Sequence, residues 1–183
     1  MSTYREHNII KFDNELKAEN FTIRETSFKP LKDYEVLVKI HAVSLNFRDL
    51  LISKNAYGTK LPDNLVPGSD ASGEIVEVWS SLANSILSLI IWQIGDGAQG
   101  SWRKGQRVAI SFALDYVDGE ASAEKGATAL GAGINGVLTE YRVVPAHVSR
   151  FSFTLILAGL PEFLQSLVEI PEHLSYEEAS TLP

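Results

Sequence analysis

Residues 34–78 read YEVLVKIHAVSLNFRDLLISKNAYGTKLPDNLVPGSDASGEIVEV. Apolar and polar residues alternate from Val36 to Val43, the period of a half-buried strand. The run stops at the polar cluster Asn46-Phe47-Arg48-Asp49. Phe47, Leu50 and Leu51 then follow the i, i+3, i+4 spacing of a short helix over 46–53. Tyr57 to Pro67 reads as a loop, and Pro67-Gly68 as a structural turn. A second alternating run, Ala71 to Val78, predicts another strand, with Gly73 where backbones can approach closely. Polar groups at a strand-to-helix junction are held by rigid neighbours and still open to a ligand.

Working outward, residues 8–12 and 21–26 carry short β patterns, and Lys29 to Asp33 reads as a connector. Lys104-Gly105 is a turn leading into a strand to Ile110, and residues 115–133 read as a long loop. Gly136 to Val144 alternates like a further strand. Ser175 and Glu178 have the spacing of a capping box at the start of a helix. Many short strands and few helices predict a compact, mainly β, barrel-like domain.

Composition narrows the function. The chain has 183 residues, 45% of them apolar, enough for one good core. Its net charge of −7, with no basic run, argues against a nucleic-acid surface. There is no cysteine, which excludes disulfides, thiolate catalysis and cysteine-bound zinc. His7, His41, His147 and His173 are scattered, and none forms an HxxxH or HExxH pair, so no metal site is expected. The N-terminus lacks an apolar signal region, and the default expectation is a cytoplasmic protein that does not engage a membrane. Gly131 to Gly136 spells GAGING, a match to GxGxxG. It follows a loop and precedes a strand, the wrong context for a dinucleotide turn.

Six pieces, EVLVK with SLNFRDLL, VPGSDASGEIVEV, WRKGQRV, GVLTEYRVVP and LVEIPEHLSYEEASTLP, occur in an order that resembles the N-terminal, GroES-like domain of the medium-chain dehydrogenase/reductase superfamily. The chain is most similar to the zinc-free, quinone-oxidoreductase-like branch. The resemblance implies a partly open β-barrel with a few short helices. It also implies hydride transfer from NADP or NAD to a small quinone, enone or aldehyde, and a homodimeric full-length relative. In zinc-dependent relatives a cysteine matches Asn46 and a His-Glu pair matches Ser69 and Asp70. Those ligand types are replaced here, so the expectation is catalysis without zinc. A carbonyl would then be polarised by hydrogen bonds, from the Asn46 amide and the Arg48 guanidinium. By resemblance, Asn46 and its neighbour Arg48 face cofactor and substrate; Phe47 and Tyr57, as aromatic side chains nearby, are the candidates to line the substrate pocket. The competing readings are Asn46 as a helix cap, Asp49 paired with Arg48 or a nearby lysine, and Phe47 in the core.

The resemblance also implies a Rossmann domain after Pro183 that this sequence does not contain. Taken as written, the chain is expected to be inactive and to bind no cofactor tightly. The different-class alternative is a stand-alone β-barrel binding or interaction module.

Two apolar segments break the pattern: 79–94, WSSLANSILSLIIWQI, and 148–165, VSRFSFTLILAGLPEFLQ. The domain is therefore expected over 1–147 with 79–94 inserted, followed by a second insertion over 148–165 and a link over 166–183. Both segments are too short for the roughly 20 residues of a spanning helix. They could be natural surface loops. Their edges suggest translated introns instead. Residues 78–93 and 148–165 each begin with Val, encoded GTN, and end with Gln, which CAG can encode, as introns begin GT and end AG. Removing them rejoins GEIVE to IGDGAQ and VVPAH to SLVEIPEHL. Sequenced transcripts are predicted to lack both segments; transcripts that retain both would leave natural loops as the explanation.

Overall fold

The computed structural model describes residues 3–10, 20–32, 35–58, 60–78, 102–114, 127–145 and 166–182. Segments 79–94 and 148–165 lie outside them. Among the described residues seven strands and two short helices follow one another: β1 (Thr3–Ile9), β2 (Phe21–Ser27), β3 (Glu35–Ser44), α1 (Phe47–Ser53), β4 (Asp70–Val78), β5 (Arg107–Ile110), β6 (Tyr141–Pro145), β7 (Leu167–Glu169) and α2 (Tyr176–Ala179). The fold is mainly β, as the alternation predicted. A five-stranded sheet in the order β6-β3-β4-β5-β7 pairs antiparallel throughout, and β1-β2 form a separate hairpin. The hairpin joins the larger body through single bridges, Glu6 to Thr139 and Ile9 to Leu65. The sheets are not closed, which is the partly open barrel expected.

The central strands carry the core because their apolar residues face inward from several elements at once. Val36, Val38, Ile75, Val108, Ile110, Val137, Val144 and Leu167 are buried together. A second cluster, Ile9, Ile52, Leu61, Leu65 and Ala132, seats α1 against the hairpin, with Phe21 and Tyr57 packed on it. Each such side chain contributes about 1.5–3 kcal/mol when removed from water. Tyr4, Phe28 and Tyr141 form an aromatic trio between hairpin and sheet, with ring centroids 4.8–5.8 Å apart. Beside it Arg5 donates hydrogen bonds to Glu140, holding that carboxyl below its usual range.

The β3–β4 ladder has two irregularities, between Leu37 and Val38 and between Ile40 and Ala42. At the second, His41 is the extra residue, so its ring leaves the sheet and stacks on Tyr176 of α2 at 4.4 Å. Arg107 lies over the same ring at 4.7 Å, and Ser72 Oγ donates to the Tyr176 carbonyl. The predicted capping box is present: Ser175 Oγ accepts from the Glu178 N–H, and the Glu178 carboxylate accepts from the Ser175 N–H.

Three boundaries differ from the sequence reading. β1 begins at Thr3 rather than residue 8 because it is registered against β2 along its whole length, Thr3 opposite Ser27. β7, read from the sequence only as part of a link, is a strand because Leu167 to Glu169 completes the edge of β5. The strand expected from Gly136 starts instead at Tyr141. The reason is hydrogen bonding: the N–H groups of Gly136, Val137 and Leu138 donate to the carbonyls of Val66, Gly68 and Pro67. They are spent on a turn, not on a ladder.

That contact admits no side chain. A Cβ on Gly136 would lie 2.0 Å from the Gly68 carbonyl oxygen, and one on Gly131 would lie 2.7 Å from it. The GAGING glycines therefore make room for neighbouring backbone, with Gly133 equally tight against Ala127. Gly136→Ala is predicted to destabilise the domain by about 1–3 kcal/mol through overpacking. Gly58→Ala, where nothing lies within 4 Å, should cost only the backbone strain of its positive φ, about 1 kcal/mol. Urea unfolding midpoints would rank the two.

Candidate functional site

The site is built at one end of the sheet. Ser44, the last residue of β3, pairs with Asp70, the first of β4, and Ala71 pairs with Ile110, the last of β5. Asn46, just past the end of β3, is thereby brought to Asp70, while Phe112, just past the end of β5, meets Arg48.

Asn46 is the N-cap of α1, with extended backbone, and its N–H donates to Asp49 Oδ2 at 2.8 Å. Its side chain turns to β4, where Nδ2 donates to Asp70 Oδ2 at 2.5 Å. The same oxygen accepts from Ser69 Oγ at 2.5 Å. A carboxylate only accepts, so the amide nitrogen must face Asp70 and its orientation follows from chemistry. Nδ2 has a second hydrogen, and Asn46 is exposed, so one donor remains for a ligand.

Among the described residues Asp49 pairs with neither Arg48 nor a lysine. Its Oδ1 accepts from the Gly68 N–H at 3.2 Å, so one carboxylate ties the start of α1 to the Pro67-Gly68 turn. Arg48 goes the other way. Its Nε donates to the Tyr57 hydroxyl at 3.0 Å and Nη1 to the Leu130 carbonyl at 2.9 Å. The guanidinium lies over two rings, Tyr57 at 5.0 Å and Phe112 at 4.8 Å. Nη2 is buried without a hydrogen-bond partner. Among the described residues the one ion pair is Arg5–Glu140, so the Arg48 charge has no carboxylate opposite it.

Phe47 is 73% exposed, beside Leu45 at 72%, which overturns the core reading of Phe47. It stands at the mouth of α1, where an apolar ligand could meet it. Tyr57 is half-buried and acts on Arg48 through its hydroxyl. The structure thus brings together Asn46 with Ser69 and Asp70, and Arg48 with Tyr57. Sequence reading missed Phe112: it follows β5 in a stretch with no motif, and only the sheet register places it here. A separate apolar groove of about 310 Å³ lies between β5, β7 and α2, lined by Ile110, Val168, Ile170, Pro171 and Leu174, and none of these site residues borders it.

The three positions matching metal ligands do not fit zinc. An amide nitrogen bearing two hydrogens is not a donor to metal, and Ser69 and Asp70 are bonded within the trio. Among the described residues no group of three or more His, Cys, Asp or Glu is disposed to hold a metal. No described helix is long and apolar enough to cross a membrane.

Residues 32–151 match the alcohol dehydrogenase GroES-like domain. The chain belongs to that family, within the medium-chain dehydrogenase/reductases. It is 33% identical over 180 residues to a zinc-type alcohol dehydrogenase-like protein of Schizosaccharomyces pombe, covering 98% of this chain and 41% of that protein. A crystal structure of an alcohol-dehydrogenase-class protein from Sinorhizobium meliloti superposes with a TM-score of 0.67 at 26% identity, over 100% of this chain and 43% of that one. The quinone oxidoreductase of Coxiella burnetii shares the fold, with a TM-score of 0.56 at 17% identity over 100% of this chain and 41% of its own. This GroES-like chain spans about two fifths of the length of these relatives.

Asp49→Ala removes the acceptor for two N–H groups, one at each side of the site. It is predicted to lower stability by about 1–3 kcal/mol. Thermal unfolding would measure this, and Arg48→Met should show a separate loss that adds to it only in part, because both act through the 46–49 turn.

Proposed function

We propose that this chain is the substrate-side half of a zinc-free, NAD(P)H-dependent reductase acting on a quinone, enone or aldehyde. The observation that carries this reading is the Asn46–Asp70–Ser69 trio. It stands at the positions that match metal ligands in zinc-dependent relatives, and it holds an exposed amide with one N–H free. Asn46 donates that hydrogen to the acceptor's carbonyl oxygen, and the charge developing there is stabilised by a donor that needs no reorganisation. Asp70 and Ser69 keep the amide oriented. Arg48, which has no carboxylate opposite it among the described residues, adds positive potential to the same end of the sheet.

A nicotinamide cofactor, held by a domain outside this chain, would supply a hydride to the acceptor and leave oxidised, the balancing proton coming from solvent. The GAGING turn takes no part in holding it, because its glycines are filled by neighbouring backbone. Cofactor binding therefore belongs to the part of the relatives that this chain does not span, and the homodimer of the full-length protein would belong with it.

The test uses a reading frame that continues past Pro183 through a nucleotide-binding domain. Such a protein should oxidise NADPH or NADH with 1,4-naphthoquinone, and residues 1–183 alone should not. In it, Asn46→Ala should lower kcat/KM about a hundredfold, the typical loss for one oxyanion donor. No NAD(P)H oxidation by the longer protein would sink the reading. Micromolar NADPH binding by residues 1–183 would overturn the division of labour.

A further inference from the structure

Asparagine precedes glycine at one place in the chain, Asn135-Gly136. Such a pair is chemically labile, because a following residue without a side chain leaves its nitrogen open to approach by the neighbouring amide. The fold places this pair at the contact between the two turns. The Gly136 N–H donates to the Val66 carbonyl at 2.6 Å, and Asn135 Oδ1 accepts from the Val66 N–H at 3.1 Å. The two groups that would react with each other are thus held by one residue. Gly136 is buried against the carbonyls of Pro67 and Gly68, whereas Asn135 is exposed.

We propose that Asn135 is a modification site, which deamidates when the 131–136 turn opens and is protected while the turn is closed. The reaction needs only water. Solvent hydroxide takes the Gly136 N–H proton, and the freed nitrogen bonds to Asn135 Cγ. The side-chain nitrogen leaves as ammonia after taking a proton from water, which regenerates the hydroxide. Water then opens the resulting succinimide ring at one of its two carbonyls. Cleavage between Cγ and the Gly136 nitrogen gives aspartate. Cleavage between that nitrogen and the main-chain carbonyl of residue 135 gives isoaspartate, with the former side-chain methylene now in the backbone.

Two effects of Val66 oppose each other. Its N–H draws electrons from Oδ1 and makes Cγ more open to attack. Its carbonyl holds the Gly136 proton, and the nitrogen is no nucleophile until that proton is lost. The second effect wins, because Gly136 is also buried away from hydroxide; as in amide hydrogen exchange, opening comes first. The products differ in consequence. Aspartate keeps an oxygen for the Val66 N–H. Isoaspartate lengthens the backbone beside Gly136, where even a Cβ would lie 2.0 Å from the Gly68 carbonyl oxygen, so the two turns cannot meet again. One opening of the turn is thereby made permanent.

The experiment ages residues 1–183 in mildly alkaline buffer, with and without denaturing urea. Mass spectrometry with electron-transfer fragmentation follows the peptide spanning Asn135 and tells aspartate from isoaspartate. In urea both products should form at Asn135, faster than acid forms at any other asparagine. Without urea the rate should be at least about tenfold lower, since opening must precede attack. After urea is removed, chains with aspartate should return to the compact fraction on gel filtration, and chains with isoaspartate should not. Asn135→Gln, whose ring closes far more slowly, should stay unmodified over the same time. No modification at Asn135 in urea overturns the site. Equal rates with and without urea overturn the protection, and isoaspartate chains that refold like aspartate ones overturn the structural consequence.

Discussion

Two turns meet backbone to backbone, Pro67-Gly68 on one side and residues 131–136 on the other, with the Gly68 carbonyl oxygen where a Cβ of Gly136 would have to go. The rest of the site is suspended from that contact. Gly68 leads directly into Ser69 and Asp70, and its N–H is held by Asp49. Asp49 in turn sets the Asn46 backbone, and Asn46 reaches back to Asp70, closing a ring of interactions. From the facing turn, Leu130 holds both Arg48 and Phe112. A shift of one turn against the other would move every group proposed to touch substrate.

The chemistry of the trio follows from what replaced the metal ligands. A zinc site attracts an oxygen by charge and leaves coordination open. Here a carboxylate spends one oxygen on orienting an amide and a hydroxyl, and in the proposed reaction the amide's second hydrogen is the polarising group. This arrangement is weaker per contact than a metal, and more selective in direction. Arg48, which has no carboxylate in ion-pair reach among the described residues, lies over the Tyr57 and Phe112 rings and in the proposed reaction supplies part of the charge that a metal would bring.

Much of the fold was legible because burial imposes a period of two. The runs read as strands over 35–44 and 71–78 are β3 and β4, although burial alternates only in part, since Val36-Leu37-Val38 and Ala71-Ser72-Gly73 are each buried in succession. Ser175 and Glu178 announced α2 because a capping box is local. The reading failed where hydrogen bonds go to distant chain. Residues 136–140 look like a strand, but the N–H groups of 136–138 donate to residues 66–68 and that of Glu140 to Arg5. Phe47 looks like core by its helical spacing, yet α1 presents that side to solvent.

From residue types and spacing alone came the family resemblance, the absence of ligands suited to zinc, the strand-to-helix junction at Asn46 and the misfit of GAGING with a dinucleotide turn. These are properties of local pattern and side-chain chemistry. Which partner each polar group takes is a different matter. Asn46 with Asp70, Asp49 with Gly68, Arg48 between Tyr57 and Phe112: all but the neighbours in sequence depend on sheet register, which brings the ends of β3, β4 and β5 together. Register is set by packing across the whole sheet, and so the meeting of Arg48 with Phe112 becomes visible only in three dimensions.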